Sequence, residues 1–315
     1  MNILITGGFG YLGGRIAKSL SENGHQDVLG SRSKQKIPSW LPQAEVVKLV
    51  WKEEDSLKSI CEEVDIVIHS AGMNAQDCTL DPAAAIEFNG VATARLIRAS
   101  IAAGASRFIY LSTAHVYCSP LTGKITEESR PSNKHPYATS HMAGEDALLN
   151  LTNNNKNFEG IVLRLSNVVG SPIHKNSNCW MLVVNDLCRQ VVVDKKMVLR
   201  SDKSIERDYL PVTSVSAAVS FAVVQGHLFG GVFNLSSGTT YSLRALTNLI
   251  AERAVEVLGF CPAIEFGLNS ASDSGDLEQL EISNNKLKES GFLIETDLAE
   301  EIDRLLLDCV NWFIP

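Results

Sequence analysis

The sequence predicts an α/β protein built on a doubly wound parallel sheet. Short apolar runs alternate with amphipathic stretches through the first half of the chain, and a glycine-rich turn joins the first run to the first amphipathic stretch. Alternating strands and helices form βαβ units, whose strands pair in parallel. The length of 315 residues and the hydrophobic content of 45% indicate a globular chain of about two domains.

The first half of the chain supplies the strands and helices of this pattern. Short apolar runs predict strands at residues 3–6, 27–30, 46–50, 65–70, 107–113 and 160–165. Helical periodicity predicts helices at residues 12–23, 55–63, 82–103 and 136–151. These elements are expected to form one parallel sheet with helices on both faces.

The pattern loosens after residue 170. Polar and glycine-rich composition predicts loops at residues 170–178, 200–208 and 269–275. Helices are predicted at residues 180–191, 212–225, 242–258 and 295–313, and a strand at residues 231–235. The second half therefore reads as a separate, less regular part of the fold.

A glycine-rich turn follows the first predicted strand, with Gly7, Gly10 and Gly13 in the spacing GxxGxxG. The first glycine permits a tight turn, the second lets backbone N–H groups approach a pyrophosphate, and the third lets the helix pack closely on the sheet. The helix N-terminus adds partial positive charge. The turn therefore predicts a dinucleotide site, and the intervening Phe9, Tyr11 and Leu12 are expected to contact the cofactor.

The end of the second strand bears on the choice of dinucleotide. An acidic residue there would bind the adenosine ribose hydroxyls and select NAD. The chain instead has Ser31, Arg32 and Lys34, which favour the 2′-phosphate of NADP. If the two basic residues are only solvated surface charges, NAD is the alternative cofactor.

The loss of the regular alternation of strands and helices after residue 170 indicates two parts of the chain. We expect residues 1–170 to form a Rossmann-type dinucleotide-binding domain. Residues 171–315 are expected to form mainly a smaller C-terminal substrate-binding domain, with a segment at about 205–240 returning to the first domain.

Charge and cysteine content exclude several classes of protein. The net charge of −8 argues against nucleic acid as a partner. No apolar run is long enough to span a membrane, and the N-terminus has no basic region typical of a secretion signal. The seven cysteines are scattered without a CxxC pair, which indicates reduced thiols in a cytoplasmic protein and no metal site.

Several motifs together resemble those of one family. The chain is similar to an extended short-chain dehydrogenase/reductase of the NAD(P)-dependent sugar epimerase/dehydratase group, and the resemblance runs along nearly the whole chain. Besides the glycine turn, the motifs are His69-Ser70-Ala71-Gly72, Asn89-Gly90, Ser112-Thr113-x-x-Val116-Tyr117, Tyr137, Gly144-Glu145, Arg164-x-x-Asn167-x-x-Gly170, Arg207-Asp208-Tyr209-Leu210-Pro211-Val212 and Asn234-Leu235-Ser236-Ser237-Gly238.

The resemblance implies catalytic roles for Thr113, Tyr137 and His141. In the family, the tyrosine exchanges a proton with a sugar hydroxyl, the Ser/Thr binds the same oxygen, and a lysine one helical turn later supplies positive charge and binds the nicotinamide ribose. Here His141 replaces that lysine. Three interpretations stay open: a working variant, a changed chemistry and an inactive relative. The resemblance also implies that Ser70, Ala71, Gly72 and Asn89 contact the cofactor.

The resemblance further implies a sugar pocket. Related dehydratases carry Asp-Glu after the threonine, where this chain has Ala114 and His115, which argues against the usual dehydration. Arg207 matches an arginine that grips the diphosphate of a nucleotide-sugar, unless it only pairs with Asp208 or Glu206. A second family arginine is missing, because residues 273–274 are Asp-Ser. The remaining expected pocket residues are Asn167, Trp180, His174 and Lys175, of which Trp180 could equally belong to the core.

These observations predict hydride transfer on a sugar, expected to be nucleotide-activated, by an epimerase or a ketoreductase. The alternatives are an NADP-binding sensor or scaffold without activity and a reductase of a non-sugar carbonyl. The expected partners are a small-molecule substrate and a second copy of the chain. Dimerisation is expected through the helices near residues 82–103 and 136–151, as in the family.

Overall fold

The computed structural model describes residues 1–200, 202, 204–224, 230–267, 278–295 and 297–314. Within these residues the strands are β1 (Asn2–Thr6), β2 (Gln26–Ser31), β3 (Glu45–Lys48), β4 (Ile66–His69), β5 (Arg107–Thr113), β6 (Lys124–Ile125), β7 (Glu159–Leu165), β8 (Asn167–Val169), β9 (Lys196–Leu199), β10 (Glu206–Pro211), β11 (Gly231–Leu235), β12 (Thr240–Ser242), β13 (Ala263–Phe266) and β14 (Glu281–Ile282).

The α-helices of the same residues are α1 (Tyr11–Glu22), α2 (Glu54–Cys61), α3 (Ala75–Leu80), α4 (Pro82–Ala85), α5 (Thr93–Ala103), α6 (Pro136–Asn153), α7 (Val183–Asp194), α8 (Val212–Val224), α9 (Leu243–Leu258), α10 (Asn285–Glu289) and α11 (Leu298–Phe313). A π-helical segment, Ile86–Ala92, joins α4 to α5, so the predicted helix at residues 82–103 is continuous but changes its winding. A short 3₁₀ helix, Ala114–Val116, follows β5.

A seven-stranded sheet forms the centre of the fold, in the order β11-β7-β5-β4-β1-β2-β3. All neighbouring strands in it are parallel. Because β1 lies between β2 and β4, the chain runs outward in both directions from β1, and the sheet reverses its order there. Ligands bind at the carboxyl ends of the strands at such a switch point. The predicted Rossmann-type, doubly wound parallel sheet is confirmed.

Both faces of this sheet are buried, which explains the continuous apolar runs of the strands. In β1, Ile3 and Ile5 belong to the hydrophobic cluster on one face, and Leu4 belongs to the cluster on the other. β5 is buried along its whole length. Phe108 and Tyr110 share the second cluster with residues of α5 and α6, so alternate residues of β5 face these helices.

A separate hydrophobic cluster holds the C-terminal elements together. Its buried side chains come mainly from α7, α9 and α11, and include Leu187, Leu246 and Leu305. Two small sheets, in the orders β12-β10-β8 and β13-β9, pack in this cluster, whereas the strand pair β14-β6 belongs to another cluster that includes Val116 and Tyr117. The domain boundary near residue 170 stays a prediction.

The structure corrects some local predictions. The loop predicted at residues 200–208 ends earlier, because β10 begins at Glu206 and pairs with β8 and β12, and these distant strands supply hydrogen bonds that a polar segment does not signal. The helix predicted from residue 180 begins at Val183. The loop predicted at residues 269–275, residues 201 and 203 within the loop at 200–208, and residues 225 and 296 of two predicted helices lie outside the described residues.

Candidate active site

The glycine-rich turn forms a tight cradle at the end of β1. Gly7 has a φ of +68°, which favours glycine, and its carbonyl oxygen accepts a 2.7 Å hydrogen bond from the N–H of Gly10. A Cβ atom on Gly13 would overlap the same carbonyl. Gly10 is the N-cap of α1 and no side chain caps this helix end. The open N–H groups of the first helical turn are therefore suited to bind an anion.

The residues after β4 form the second wall of the cradle. The Ser70 hydroxyl donates to the Thr6 carbonyl at 2.6 Å, and the Ala71 N–H donates to the Thr6 hydroxyl at 3.3 Å. A Cβ atom on Gly7 would lie 3.0 Å from the Ala71 nitrogen. Any side chain on Gly7 would therefore close the cradle, which fits the phosphates of a dinucleotide.

Gly72 and Asn89 continue this wall. A Cβ atom on Gly72 would lie 3.5 Å from Asn89 Oδ1 and 3.7 Å from His141 Cε1. The Asn89 amide accepts from the Met73 N–H at 2.8 Å and donates to the Ser140 hydroxyl at 3.0 Å. The structure thus brings the expected cofactor residues after β4 and in the π-helical segment next to His141.

The basic residues after β2 are free of ion pairs within the described part of the chain. Arg32 and Lys34 are exposed, and Ser31 ends the strand. No described carboxylate forms a salt bridge with either basic side chain. Their positions therefore leave both cofactor interpretations open.

Thr113, Tyr137 and His141 come together at the carboxyl end of β5. Thr113 is the last residue of β5, whereas Pro136 opens α6 and His135 caps it, which places Tyr137 in the first turn. The Thr113 side chain lies close enough to Tyr137 to lower the pKa of its phenol. The Tyr137 and His141 rings lie edge to face with their centroids 4.6 Å apart. The side-chain constellation expected from the motif is therefore formed.

Burial determines the charge states of Tyr137 and His141. Burial raises the pKa of Tyr137, and the neighbouring Thr113 side chain offsets part of that rise. Burial also lowers the pKa of His141 to about 4. The imidazole is therefore neutral at neutral pH and does not supply the positive charge that a lysine would.

Tyr110 is a site residue that the motifs did not indicate. Its hydroxyl lies 2.9 Å from His141 Nδ1, and the two rings stack with their centroids 5.9 Å apart. The alternation of β5 was the available signal, because Phe108, Tyr110 and Ser112 occupy the positions that face α6. Ser140, which receives the Asn89 hydrogen bond, was also missed.

A buried ion pair holds α6, the helix that carries Tyr137 and His141, in place. Arg164 of β7 donates to the Glu145 carboxylate of α6, at 3.1 Å from Nε and 2.6 Å from Nη2. Glu145 also accepts a hydrogen bond from Ser112 of β5. These motif residues fix α6 against two neighbouring strands.

His115 follows Thr113, to whose hydroxyl its N–H donates, and lies near Asn167 and Arg207. Burial lowers the pKa of His115, the nearby Arg207 charge lowers it further, and Asn167 opposes this shift. Asp208 does not pair with Arg207, because its carboxylate accepts bonds from Ser166, Ser237 and Gly238. Glu206 instead accepts from the Leu280 N–H. Arg207 thus has no ion-pair partner among the described residues.

The other expected pocket residues are Trp180, Ala114, His174 and Lys175, and the contacts of each are different. Trp180 packs edge to face on Trp312 and Phe313 of α11, as a core residue would. Ala114 is buried in the 3₁₀ helix. His174 Nε2 lies 3.3 Å from the Phe9 carbonyl, beside the glycine turn. Lys175 accepts the Trp180 indole N–H through its carbonyl oxygen.

The described residues contain no group of three or more His, Cys, Asp or Glu side chains arranged to hold a metal ion. None of their helices combines the length and apolar character needed to cross a membrane. Residues 273–274, where the family's second arginine is missing, lie outside the described part.

Solved structures share the complete fold. The UDP-glucose 4-epimerase of Thermotoga maritima, determined with UDP-glucose, superposes with a TM-score of 0.82 at 22% identity and covers 98% of both chains. The UDP-glucose 4-epimerase of Thermus thermophilus, determined with NAD, gives a TM-score of 0.81 at 23% identity and covers 100% of both chains. At these identities the likeness shows the fold.

Sequence comparison shows the family. The putative UDP-glucose 4-epimerase of Methanocaldococcus jannaschii is 24% identical over 317 residues, covering 98% of this chain and 97% of that protein. The low-salt glycan biosynthesis protein Agl12 of Haloferax volcanii is 23% identical over 323 residues, covering 100% and 99%. The model of the NAD dependent epimerase/dehydratase family matches residues 3–236, well over half of the chain. The chain therefore belongs to the NAD-dependent epimerase/dehydratase family of extended short-chain dehydrogenases/reductases.

Proposed function

We propose that the protein transfers hydride at a carbon of a nucleotide-activated sugar, as an epimerase or a ketoreductase. The observation that carries the proposal is that Thr113, at the end of β5, lies beside Tyr137, whose ring contacts that of His141 at a centroid distance of 4.6 Å. Gly72 of the cradle wall lies near His141, and the His115 N–H donates to the Thr113 hydroxyl, with Arg207 near His115. A sugar held between these groups would present its hydroxyl to Tyr137.

In this proposal each side chain has a distinct task. A bound nicotinamide supplies a hydride acceptor and donor. Tyr137 exchanges a proton with the reacting hydroxyl, and Thr113 holds the same oxygen by a hydrogen bond. The N–H groups of the cradle bind the phosphates, and His141 donates a hydrogen bond to the nicotinamide ribose.

Arg207 is proposed to bind the diphosphate of the substrate. A guanidinium matches phosphate oxygens with two parallel hydrogen bonds, and no described carboxylate occupies this one. Because Ala114 and His115 replace a pair of carboxylates, epimerisation or reduction is proposed over dehydration. The solved relative that holds UDP-glucose supports a uridine diphosphate sugar as the first substrate to test.

The direct experiment supplies UDP-, dTDP- and GDP-hexoses with NAD or NADP and follows the sugars by NMR. We expect interconversion of epimers, or reduction of the corresponding keto sugar with NADPH or NADH. Tyr137→Phe is expected to lower the rate by about 10²–10⁴-fold, with an unchanged melting temperature. An inactive wild-type protein that still binds a dinucleotide would favour the sensor or scaffold, and reduction only of simple carbonyls would favour the non-sugar reductase.

For the cofactor we propose NADP, with NAD as the alternative. The proposal rests on the exposed Arg32 and Lys34 after β2 and on the lack of an acidic residue there. Titration of the wild type and of Arg32→Gln with both dinucleotides tests it. A preference for NADP that Arg32→Gln abolishes is expected. Equal loss of affinity for both, or a wild-type preference for NAD, would contradict it.

We also propose that two copies of the chain associate through the helices at residues 82–103 and 136–151. Ile86 and Val91 lie on the first of these helices with 41% and 38% of their surfaces exposed. Light scattering of the wild type and of Val91→Glu tests this. A dimer that the charge converts to a monomer is expected, and a monomeric wild type would contradict the proposal.

A further inference from the structure

We propose that Tyr110 is a positioning residue that holds His141 as a neutral imidazole with its proton on Nε2. In this form His141 replaces the hydrogen-bond donor of a lysine but not its charge. The tautomer is inferred from the geometry alone, whereas its use toward the nicotinamide ribose rests on the proposed function.

The hydrogen bond between Tyr110 and His141 has a definite direction. The Tyr110 hydroxyl lies 2.9 Å from His141 Nδ1, and no other described residue bonds to it. A phenol has one proton to donate. If Nδ1 carried a proton and donated it, the buried phenol proton would have no acceptor, which is unfavourable. Tyr110 therefore donates, and Nδ1 accepts.

The surroundings of His141 determine the charge of its imidazole. His141 is 6% exposed, and the groups around it are neutral. Tyr110 of β5 stacks on one side, Tyr137 of its own helix packs on another, and His69 of β4 stacks behind Tyr110. Without a carboxylate in contact, protonation of the ring is unfavourable, and burial accordingly lowers the pKa of His141 to about 4.

The other nearby titratable groups do not change this conclusion. His69 bonds to the Thr6 and Thr93 hydroxyls, and burial lowers its pKa to about 3, so it is neutral. Glu145, one turn beyond His141, is held by Arg164. No group of β4, β5 or α6 is thus available as a counter-ion for a cation at position 141.

His141 Nε2 is the ring nitrogen that Tyr110 does not contact. A neutral imidazole whose Nδ1 accepts must carry its proton on Nε2. No described residue bonds to Nε2, and a Cβ atom on Gly72 would lie 3.9 Å from it. The Nε2–H therefore faces the wall formed by Gly72 and Asn89, and it needs an acceptor there such as a ribose hydroxyl.

The experiment reads the tautomer directly by NMR of the whole protein labelled with ¹⁵N-histidine, with the His141 signals assigned by their loss in His141→Gln. At neutral pH we expect a protonated Nε2 and an unprotonated, hydrogen-bonded Nδ1. Tyr110→Phe keeps the ring and removes the hydroxyl, so the Nδ1 signal is expected to move to the position of an unbonded nitrogen. A charged His141, or a proton on Nδ1, in the wild type would overturn the proposal even if the variant failed to fold.

Tyr117→Phe is the matched control. Its hydroxyl is also buried and hydrogen-bonded, at 2.7 Å to Asn234 Oδ1, but does not contact His141. We expect this variant to leave the His141 signals unchanged. If both variants shift them equally, the effect is a general loosening of the core and the proposal fails.

Dinucleotide binding provides the functional readout. Tyr110→Phe is expected to weaken it by between about twofold and tenfold, the range for one hydrogen bond, and Tyr117→Phe is expected to weaken it less. Unaltered binding in Tyr110→Phe would overturn the positioning role. Because NMR and binding need no substrate, failure of every nucleotide-sugar to react would refute the proposed function separately.

Discussion

His141 stands where the motif of the epimerase/dehydratase family has a lysine. The surroundings of its imidazole determine whether it carries a charge. Burial keeps it neutral, since its pKa is lowered to about 4. Burial also raises the pKa of Tyr137, with Thr113 as the main group that opposes this rise. The proton exchange proposed for Tyr137 therefore lacks the local cation that would lower its phenol pKa.

This charge difference predicts an alkaline shift of the pH–rate profile. For oxidation of the sugar hydroxyl, the wild-type rate is expected to rise with pH through neutrality, because Tyr137 must first lose its own proton without help from a cation. In His141→Lys the acidic limb is expected to move down by about one to three pH units, the effect of an adjacent opposite charge. The measurement is kcat against pH for both proteins. Coinciding acidic limbs would contradict this account, and a variant as inactive as its parent would favour the sensor.

Asp27 predicts a separate pH effect, on stability. The side chain is 3% exposed, and neither carboxylate oxygen has a partner among the described residues. Burial raises the pKa of Asp27 to about 7. The folded state thus binds this proton more tightly than the unfolded state does. The resulting stability is present at low pH and is lost as pH rises from about 4 to about 7.

Asp27→Asn is expected to remove this pH dependence. Above pH 7 the variant is expected to be more stable than the wild type, by up to about 4 kcal/mol if the whole pKa difference is realised. Urea unfolding at pH 5 and pH 8 measures both the slope and the gain. A wild-type free energy of unfolding that stays level between these pH values would show that Asp27 is charged and solvated in the folded state.

At the scale of one element, α6 determines the geometry of the site. It carries Tyr137 and His141, and its position depends on Glu145, which binds Arg164 of β7 and Ser112 of β5. Glu145 is fully buried, and the Arg164 side chain is 6% exposed. Removing one partner of such a pair leaves the other charge buried without compensation.

Glu145→Gln is therefore expected to lower the free energy of unfolding by about 3–5 kcal/mol, as measured by urea unfolding. Glu54→Gln is the matched control. Glu54 also takes two hydrogen bonds from one arginine, Arg98, at 2.9 and 2.7 Å, but both side chains are about half exposed. The control is expected to lose less than about 1 kcal/mol. Equal losses would show that burial does not govern the strength of these pairs.

At the scale of the whole molecule, the glycine turn links the central sheet to the C-terminal elements. The Tyr11 hydroxyl donates to the Gly170 carbonyl at 3.1 Å, and Ile173 packs against Gly14 of α1. Ser171 donates to Asp308 of α11 at 2.5 Å. The cofactor cradle is therefore in contact with segments from both halves of the chain.

Because of these links, dinucleotide binding is expected to stabilise the chain as a unit. A ligand at 100 times its dissociation constant adds about 2.7 kcal/mol, so a single thermal transition is expected to move up by several degrees. Gly13→Ala, whose Cβ would overlap the Gly7 carbonyl, is expected to lose the shift. Scanning calorimetry with and without NADP or NAD checks this. Two transitions, of which only one moves, would show that the halves unfold independently.

Prediction from the sequence succeeds where an element depends on its own residues. β5 and β11 have the predicted bounds, because their apolar runs are continuous and end at polar or small residues. The sequence predicts a loop over the first residues of β10, because the pairing of this strand with β8 and β12 does not depend on apolar periodicity. The sequence leaves Trp180 open between the sugar pocket and the core, because the ring contacts that it makes are with Trp312 and Phe313, which are distant in sequence.

Local spacing along the chain is enough to predict the sheet class, the glycine turn and the grouping of positions 113, 137 and 141. The chemistry available to these residues depends on how the elements pack. Tyr110 and His141 are 31 positions apart, and only the packing of α6 on β5 joins them. The same packing excludes water and counter-ions from His141, and this desolvation, which no local pattern encodes, sets its charge.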